Sequence, residues 1–367
     1  MKLHIFNPEH DIALASGLSN FTAPHAGRQL RHDLGFLPAL WAAEGDAVLV
    51  DDPVQAEHSW RRLVYRLNTL TGCSRLTVGG RSFLQWKHFV APKDISAIDP
   101  WGWNSALRAT LLRGAVDERL MPDAEALQTI RNLSHRRVAA QLLSALRIDG
   151  TVGEAVECQT ELQVEALLAR HGRLVMKAPW SSSGRGLRFL NPDNNFQNST
   201  FLSGWFRNVV AAQGCVMVEP FYHKVKDFGM EFFSDGHGQV SYLGLSLFHT
   251  ENGAYTGNIL ATEKVKRDMI SHYVSVDLLD TVQQTICQRM GGIVGHQYCG
   301  PFGVDMMVVS TLSPQPSTLS LHPCVEINLR RTMGHVALAM APADDDIRLA
   351  MRIDYNDNNY QLKIKRL

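Results

Sequence analysis

Acidic and amide side chains recur at strand spacing in the last seventy residues of the chain. Gly303-Val304-Asp305-Met306-Met307 and Cys324-Val325-Glu326-Ile327-Asn328-Leu329-Arg330 read as two short strands, separated by a polar, Pro-containing stretch from Ser310 to Ser320. Side chains alternate across a strand, so Glu326, Asn328 and Arg330 share one face while Val325, Ile327 and Leu329 share the other. If Asp305 lies on a neighbouring strand, three oxygen ligands converge, and such a cluster in a cleft is costly unless cations neutralise it. Oxygen-only donors favour Mg²⁺, which commonly sits on one or two carboxylates plus substrate phosphates. The pattern points to a metal and nucleotide site.

Two further constellations fit that chemistry. A strand from Arg173 to Ala178 delivers Lys177, and Ser181-Ser182-Ser183-Gly184-Arg185-Gly186 then supplies a turn whose backbone N–H groups can close around phosphate oxygens. It is no Walker A loop, because the Gly-Lys-Ser/Thr order is absent and a strand, Leu187 to Leu190, follows where a helix should begin. Alone, it would pass for an ordinary Gly/Ser hairpin. In Val216-Met217-Val218-Glu219-Pro220-Phe221, an apolar strand runs into an acid and leaves through a proline. Such a hinge can offer backbone groups to an adenine ring and a carboxylate to its amino group, with Asp227 in reach of ribose hydroxyls and Glu231 beyond. Each acid alone is better read as a solvated surface group; the order of the constellations carries the argument.

The elements that must position these residues are short and mixed. Leu3 to Phe6 and Ala47 to Val50 read as strands, and the apolar spacing predicts a helix from Ala26 to Ala43. Ser134 suits the N-cap of a helix from His135 to Leu146 whose first turn carries Arg136 and Arg137. A helix is expected from Glu161 to Arg170, strands over Cys215 to Glu219, Met230 to Phe233 and Val240 to Leu247, and a helix from Leu278 to Met290. With 367 residues and 45% hydrophobic content, the chain has material for two or three packed domains. Lys+Arg and Asp+Glu both total 36, so no overall positive field would hold a nucleic-acid backbone. No apolar run approaches a membrane span, and six cysteines without a CxxC pair suit reduced thiols, so a cytoplasmic protein is expected.

In this order, Arg136, Lys177 with the Ser/Gly loop, Glu219, Asp227, Gly303-Val304-Asp305 and Glu326-Ile327-Asn328-Leu329-Arg330 resemble the ATP-grasp superfamily over about residues 134 to 340. The resemblance implies an α/β and α+β chain: an N-terminal open-sheet pre-ATP-grasp domain over 1–130, a small lobe over 131–218, and a large lobe with the metal-binding strands over 219–367. It implies ATP between the lobes, with Arg136 or Arg137, Lys177, Ser181, Ser182, Ser183, Gly184 and Gly186 at the phosphates, Glu219 and Phe221 at adenine, and Asp227 at ribose. Mg²⁺, with Mn²⁺ as the alternative, would take Asp305, Glu326 and Asn328. The 21-residue separation of Asp305 and Glu326 exceeds that of compact members and is ascribed to a long hairpin loop.

The implied reaction is ligation of a small-molecule carboxylate to an amine through an acylphosphate, with Lys177 and Arg330 as catalytic residues. Phosphoryl transfer of this kind asks the protein mainly for positioning and charge neutralisation. An ATP-grasp phosphotransferase and a non-catalytic nucleotide-binding regulator remain as alternatives, the latter disfavoured by the intact acidic set. Homodimerisation stays open, and neither nucleic acid nor membrane is an expected partner. Ser246 to Asn258 reads as a polar loop suited to cover substrate, or as a plain surface loop. Asn7-Pro8-Glu9-His10-Asp11 reads as a turn after the first strand, at the sheet edge where α/β proteins bind ligands. Trp101-Gly102-Trp103 is most simply buried packing.

Overall fold

The computed structural model describes residues 1–73, 76–181, 186–251, 254–311 and 318–367. Their strands form four four-stranded sheets. The first is parallel, in the order β3-β2-β1-β4, from β1 (Lys2–Ile5), β2 (Ala47–Val50), β3 (Ser82–Gln85) and β4 (Ala97–Pro100). Both of its faces are covered, as parallel sheets require. Leu3, Ile5 and Leu49 pack with Leu107 and Leu111, whereas Phe6, Val48 and Val50 pack with Trp60 and Leu63. The covering helices are α2 (His25–Leu34), α3 (Pro53–Thr71) and α4 (Ser105–Arg113), while α1 (His10–Ser16) follows β1 and α5 (Ala124–Leu133) packs through Leu127 and Ile130 into a separate core with Phe228 and Met230. Asp52 caps α3 by accepting from Val54 N and Gln55 N, with Pro53 at the first helical position, so β2 ends in a sharp exit at its carboxyl edge.

The second sheet, β5-β8-β6-β7, is built from β5 (Val156–Cys158), β6 (Leu174–Lys177), β7 (Leu187–Leu190) and β8 (Val216–Pro220). It is preceded by α6 (Arg136–Ala145) and backed by α7 (Glu161–His171) and α8 (Thr200–Gln213) through Val164, Leu202 and Phe206. The third sheet, β10-β9-β13-β14, comprises β9 (His223–Asp235), β10 (Val240–Ser246), β13 (Cys299–Thr311) and β14 (Thr318–Asn328). Its apolar face carries Phe228, Met230, Phe232, Phe302, Val304 and Met306 against α9 (Glu263–Ser271), α10 (Val276–Val294) and α6. The fourth sheet holds β11 (Phe248–Glu251), β12 (Ala254–Leu260), β15 (Leu349–Asn356) and β16 (Asn359–Arg366). With α11 (Met333–Ala339) it shares one apolar core with α3 and the first sheet, through Leu260, Val336, Met351, Ile364 and Trp60. The two ends of the chain are thus welded together.

Several expected elements differ. The helix predicted from Ala26 to Ala43 ends at Leu34, and a short 3-10 turn follows over Leu37–Leu40. Pro38 lacks the N–H an α-helix needs and restricts the residue before it. Ser134 closes α5, its hydroxyl donating to Ile130 O, and His135 instead caps α6 by accepting from Arg137 N. Ser246 to Asn258 is largely a hairpin rather than a loop, with Phe248 opposite Asn258 and Thr250 opposite Tyr255. Its aromatic and β-branched residues favour strand. At both ends of the stretch between the acidic strands the described residues are strand, with Ser310 opposite Leu319 and Thr311 opposite Thr318. Much of the separation of Asp305 and Glu326 is therefore strand, up to Thr311 and from Thr318. Residues 312–317 lie outside the described residues.

Candidate active site

The third sheet sets the acidic residues side by side. β13 and β14 pair antiparallel with Asp305 opposite Glu326 and Gly303 opposite Asn328. Asn328 Nδ2 donates to Asp305 Oδ2 at 3.0 Å, and Arg330 Nη2 donates to Asn328 Oδ1 at 2.9 Å. Beyond Glu326 the expected alternation breaks. The register shifts between Asp305 and Met307 because β14 carries extra residues around Pro323, which cannot donate to a ladder. Cys324, rather than Val325, joins Ile327 and Leu329 in the core. Val325 is half-buried, and its carbonyl accepts from Lys177 Nζ at 3.4 Å.

Basic residues close on this face from two other parts of the chain. Arg136, the first residue of α6, reaches Glu326 Oε1 with Nη2 at 2.8 Å and donates from Nε to Ala178 O at 3.1 Å. Its Nη2 also approaches Ser181 Oγ at 3.3 Å. Arg136 Nη1 is buried and has no partner among the described residues. Arg137 turns away, to Glu157 at 3.1 Å and His135, so of the two only Arg136 faces the acids. Arg330 grips Asp11 of α1 with both arms, Nε to Oδ1 at 2.8 Å and Nη2 to Oδ2 at 2.6 Å, across 319 residues of sequence. His10, Asp11, Ser181, Glu326 and Asn328 line one narrow cavity.

The Ser/Gly segment is described at its two ends. Gly186 O accepts from Ala178 N, and a Cβ on Gly186 would come within 2.4 Å of Ser181 Cβ, so a side chain there would stop the loop ends from closing. Ser182, Ser183 and Gly184 lie outside the described residues. Lys177 and Glu219, from neighbouring strands β6 and β8, form a buried pair at 2.6 Å. The carboxylate expected beside an adenine amino group is therefore taken by the lysine. Phe221 sits under the Arg173 guanidinium at 4.0 Å. Asp227 meets Lys224 Nζ at 2.5 Å and accepts from Thr250 Oγ1, joining β9 to the β11 hairpin.

The electrostatics of the acidic face are unbalanced. Burial pushes the Asp305 carboxyl up to about 8, with Glu326 and then Glu231 adding like charge. Burial also raises Asp11, but Arg330 more than reverses this and holds it below the usual carboxylate range. No three His, Cys, Asp or Glu side chains form a metal cage among the described residues. Two carboxylates and an amide are instead the partial donor set on which Mg²⁺ keeps waters and phosphate oxygens. The raised Asp305 and the orphaned Arg136 Nη1 both fit a cation and an anionic group arriving together.

Three participants carry weaker signals in the sequence. Glu231, on β9 next to Gly303, accepts from Thr332 Oγ1 at 2.8 Å and meets His335 Nδ1 at 3.0 Å. This fixes the segment that follows Arg330. Gly334 permits it, since a Cβ there would lie 1.8 Å from Glu231 Oε1. His322 is fully buried near Tyr222, with neither ring nitrogen partnered among the described residues, and burial lowers it to about 4. Asp11 is the third; its sheet-edge turn is visible in the sequence, but its partner is not.

No family model matches the chain, and no curated protein does. Solved structures share its fold. N5-carboxyaminoimidazole synthetase from Staphylococcus aureus, complexed with ADP, aligns over 97% of this chain and 83% of that one at 11% identity, with a TM-score of 0.51. Biotin carboxylase from Campylobacter jejuni, in a β-γ-ATP complex, aligns over 86% and 77% at 12% identity and 0.51. The biotin carboxylase domain of 2-oxoglutarate carboxylase from Hydrogenobacter thermophilus, with MgADP and bicarbonate, aligns over 85% and 75% at 11% identity and 0.51. Among the described residues, no helix is long and apolar enough to cross a membrane.

Proposed function

From its ATP-grasp fold, we propose that this chain is an ATP- and Mg²⁺-dependent ligase that joins a small carboxylate to an amine through an acylphosphate. The observation that carries this is the convergence of Asp305, Glu326 and Asn328 with Arg136 and Arg330 on one face. Asp305, Glu326 and Asn328 are the residues that would hold Mg²⁺, which supplies charge neutralisation for the ATP phosphates. Arg136, with one arm unpartnered, would take a phosphate oxygen, and the backbone between Ser181 and Gly186 would close over the others. Lys177 is held between Glu219 and Val325 O at the edge of this face. Released from Glu219, its ammonium would serve the phosphates.

Arg330 suits the reacting acyl group. Its guanidinium is fixed by Asp11 and Asn328, so it costs little reorganisation when charge develops on an acyl oxygen. The substrate carboxylate attacks the terminal phosphorus and ADP leaves. The amine then attacks the acyl carbon, phosphate departs, and the amine's surplus proton passes to solvent or to the phosphate. ADP release should be slow with ATP alone and rise when a carboxylate and an amine are both supplied. Mass spectrometry of stimulated reactions tests this: a joined amide is expected, whereas a stable phosphorylated product formed without any amine would make the chain a phosphotransferase.

A further inference from the structure

A second cavity, of about 430 Å³, opens at the carboxyl edge of the first sheet. Segments after all four strands line it: Asn7 after β1, Asp51 after β2, Trp86 and Lys87 after β3, and Asn104 after β4. In the order β3-β2-β1-β4 the chain moves outward in both directions from β1, the arrangement whose crevice receives ligands in open parallel sheets. Its volume is within the range of small-molecule pockets.

The wall carries charges of both signs. Arg31 lies between Glu9 Oε1 at 2.8 Å and Asp51 Oδ2 at 3.3 Å, which leaves one surplus negative charge. Arg28, three residues before Arg31 on α2, donates to Ala23 O, and neither it nor Lys87 has an ion pair among the described residues. Two polar atoms of the wall, Glu9 Oε2 and Trp86 Nε1, are buried without a partner among the described residues. Leaving such groups unmatched is costly, and a ligand bearing both a donor and an acceptor would satisfy them. The cavity is also joined to the site above. Glu9 and Ala13 face it, while His10, Asp11 and Leu14 of the same short helix line the cavity beside Glu326 and Asn328. Asn104 Nδ2, in the wall, bonds His10 Nδ1 at 3.2 Å.

We propose that this cavity binds an α-amino acid, its ammonium on the Glu9 and Asp51 side and its carboxylate on Arg28 and Lys87, as one of the two molecules that the enzyme joins. The role as a joined substrate rests on the ligase reading; the binding site does not. The full-length protein, without nucleotide, is screened by thermal shift against the twenty L-α-amino acids, and hits are titrated calorimetrically. At least one should bind, and its N-acetyl and carboxamide forms should bind at least tenfold more weakly. Lys87→Ala, at an exposed position, and Glu9→Gln should each weaken it by about tenfold with the affinity for a non-hydrolysable ATP analogue unchanged. No amino-acid binding by a protein that still binds the analogue overturns the site, as does binding indifferent to both substitutions. An amino acid that binds and responds to both substitutions, yet neither stimulates ADP release nor enters a product when paired with each carboxylate and amine of the substrate screen, upholds the cavity and removes its occupant as a joined substrate.

Discussion

Asp305 offers the sharpest test of the acidic face, because its carboxyl is pushed up to about 8 by burial, then by Glu326 and Glu231. A free carboxyl in an unfolded chain titrates near about 4, so between those values the folded, metal-free protein binds a proton that the unfolded chain has lost. Stability then falls as pH rises, by up to about 1.36 kcal/mol per unit, until the folded group ionises. Asp305→Asn removes this titration while an amide oxygen can still accept from Asn328 Nδ2. From pH 5 to pH 8, the stability of the asparagine variant relative to wild type should therefore grow by up to about 4 kcal/mol, and by about half that where solvent at the cleft mouth screens the charge. Urea unfolding of both proteins in EDTA measures it, and taking the difference cancels groups that titrate alike in both. Saturating Mg²⁺ at pH 8 should stabilise wild type, by about 2.7 kcal/mol at a hundredfold excess over Kd, and leave the variant where it was. A gap that does not change with pH would refute the raised Asp305 carboxyl. Equal Mg²⁺ stabilisation of both proteins would remove Asp305 from the metal site.

Lys177→Ala should weaken ATP binding by about tenfold to a hundredfold in calorimetric titration, and should also lower the melting temperature because it strands Glu219 as an unpaired buried charge. Lys177→Ala/Glu219→Gln should recover the melting temperature without recovering ATP affinity. Arg330→Ala should reduce ADP release far more than ATP affinity, if its proposed contact is made mainly with the reacting group. Asp11→Asn should do the same more mildly by loosening the guanidinium it holds, and the kcat and ATP KM of the two variants, set side by side, check both statements.

Much of the acidic face was legible because it lies on strands, where two-residue spacing converts directly into a shared face. Glu326, Asn328 and Arg330 needed no other information. The opposite face failed at Val325 because alternation assumes an unbroken ladder, and two extra residues beside Pro323 interrupt it, so that Cys324 takes the core position. Pairings between distant segments were not legible. Nothing local says that Lys177 meets Glu219, or that Arg136 rather than Arg137 turns inward, since those outcomes depend on how α6 and β8 dock. The helix ends were misplaced for a different reason: Ser134 and His135 can each cap, and the tertiary neighbourhood decides which one does.

The Asp11–Arg330 pair gives these pieces a common logic. Asp11 stands on a seven-residue helix hung from the first parallel sheet, and Arg330 leaves the strand that carries Glu326 and Asn328. Glu231 fixes the segment just beyond Arg330 through Thr332 and His335. A displacement of α1 would thus be transmitted to the arginine, whose other contacts are Asn328 Oδ1 and the carbonyl of Arg331. The same helix walls the second cavity on its opposite side. A ligand drawing on Glu9 there competes with Arg31 for the residue immediately before α1, so occupancy of that cavity bears on the helix that holds Arg330.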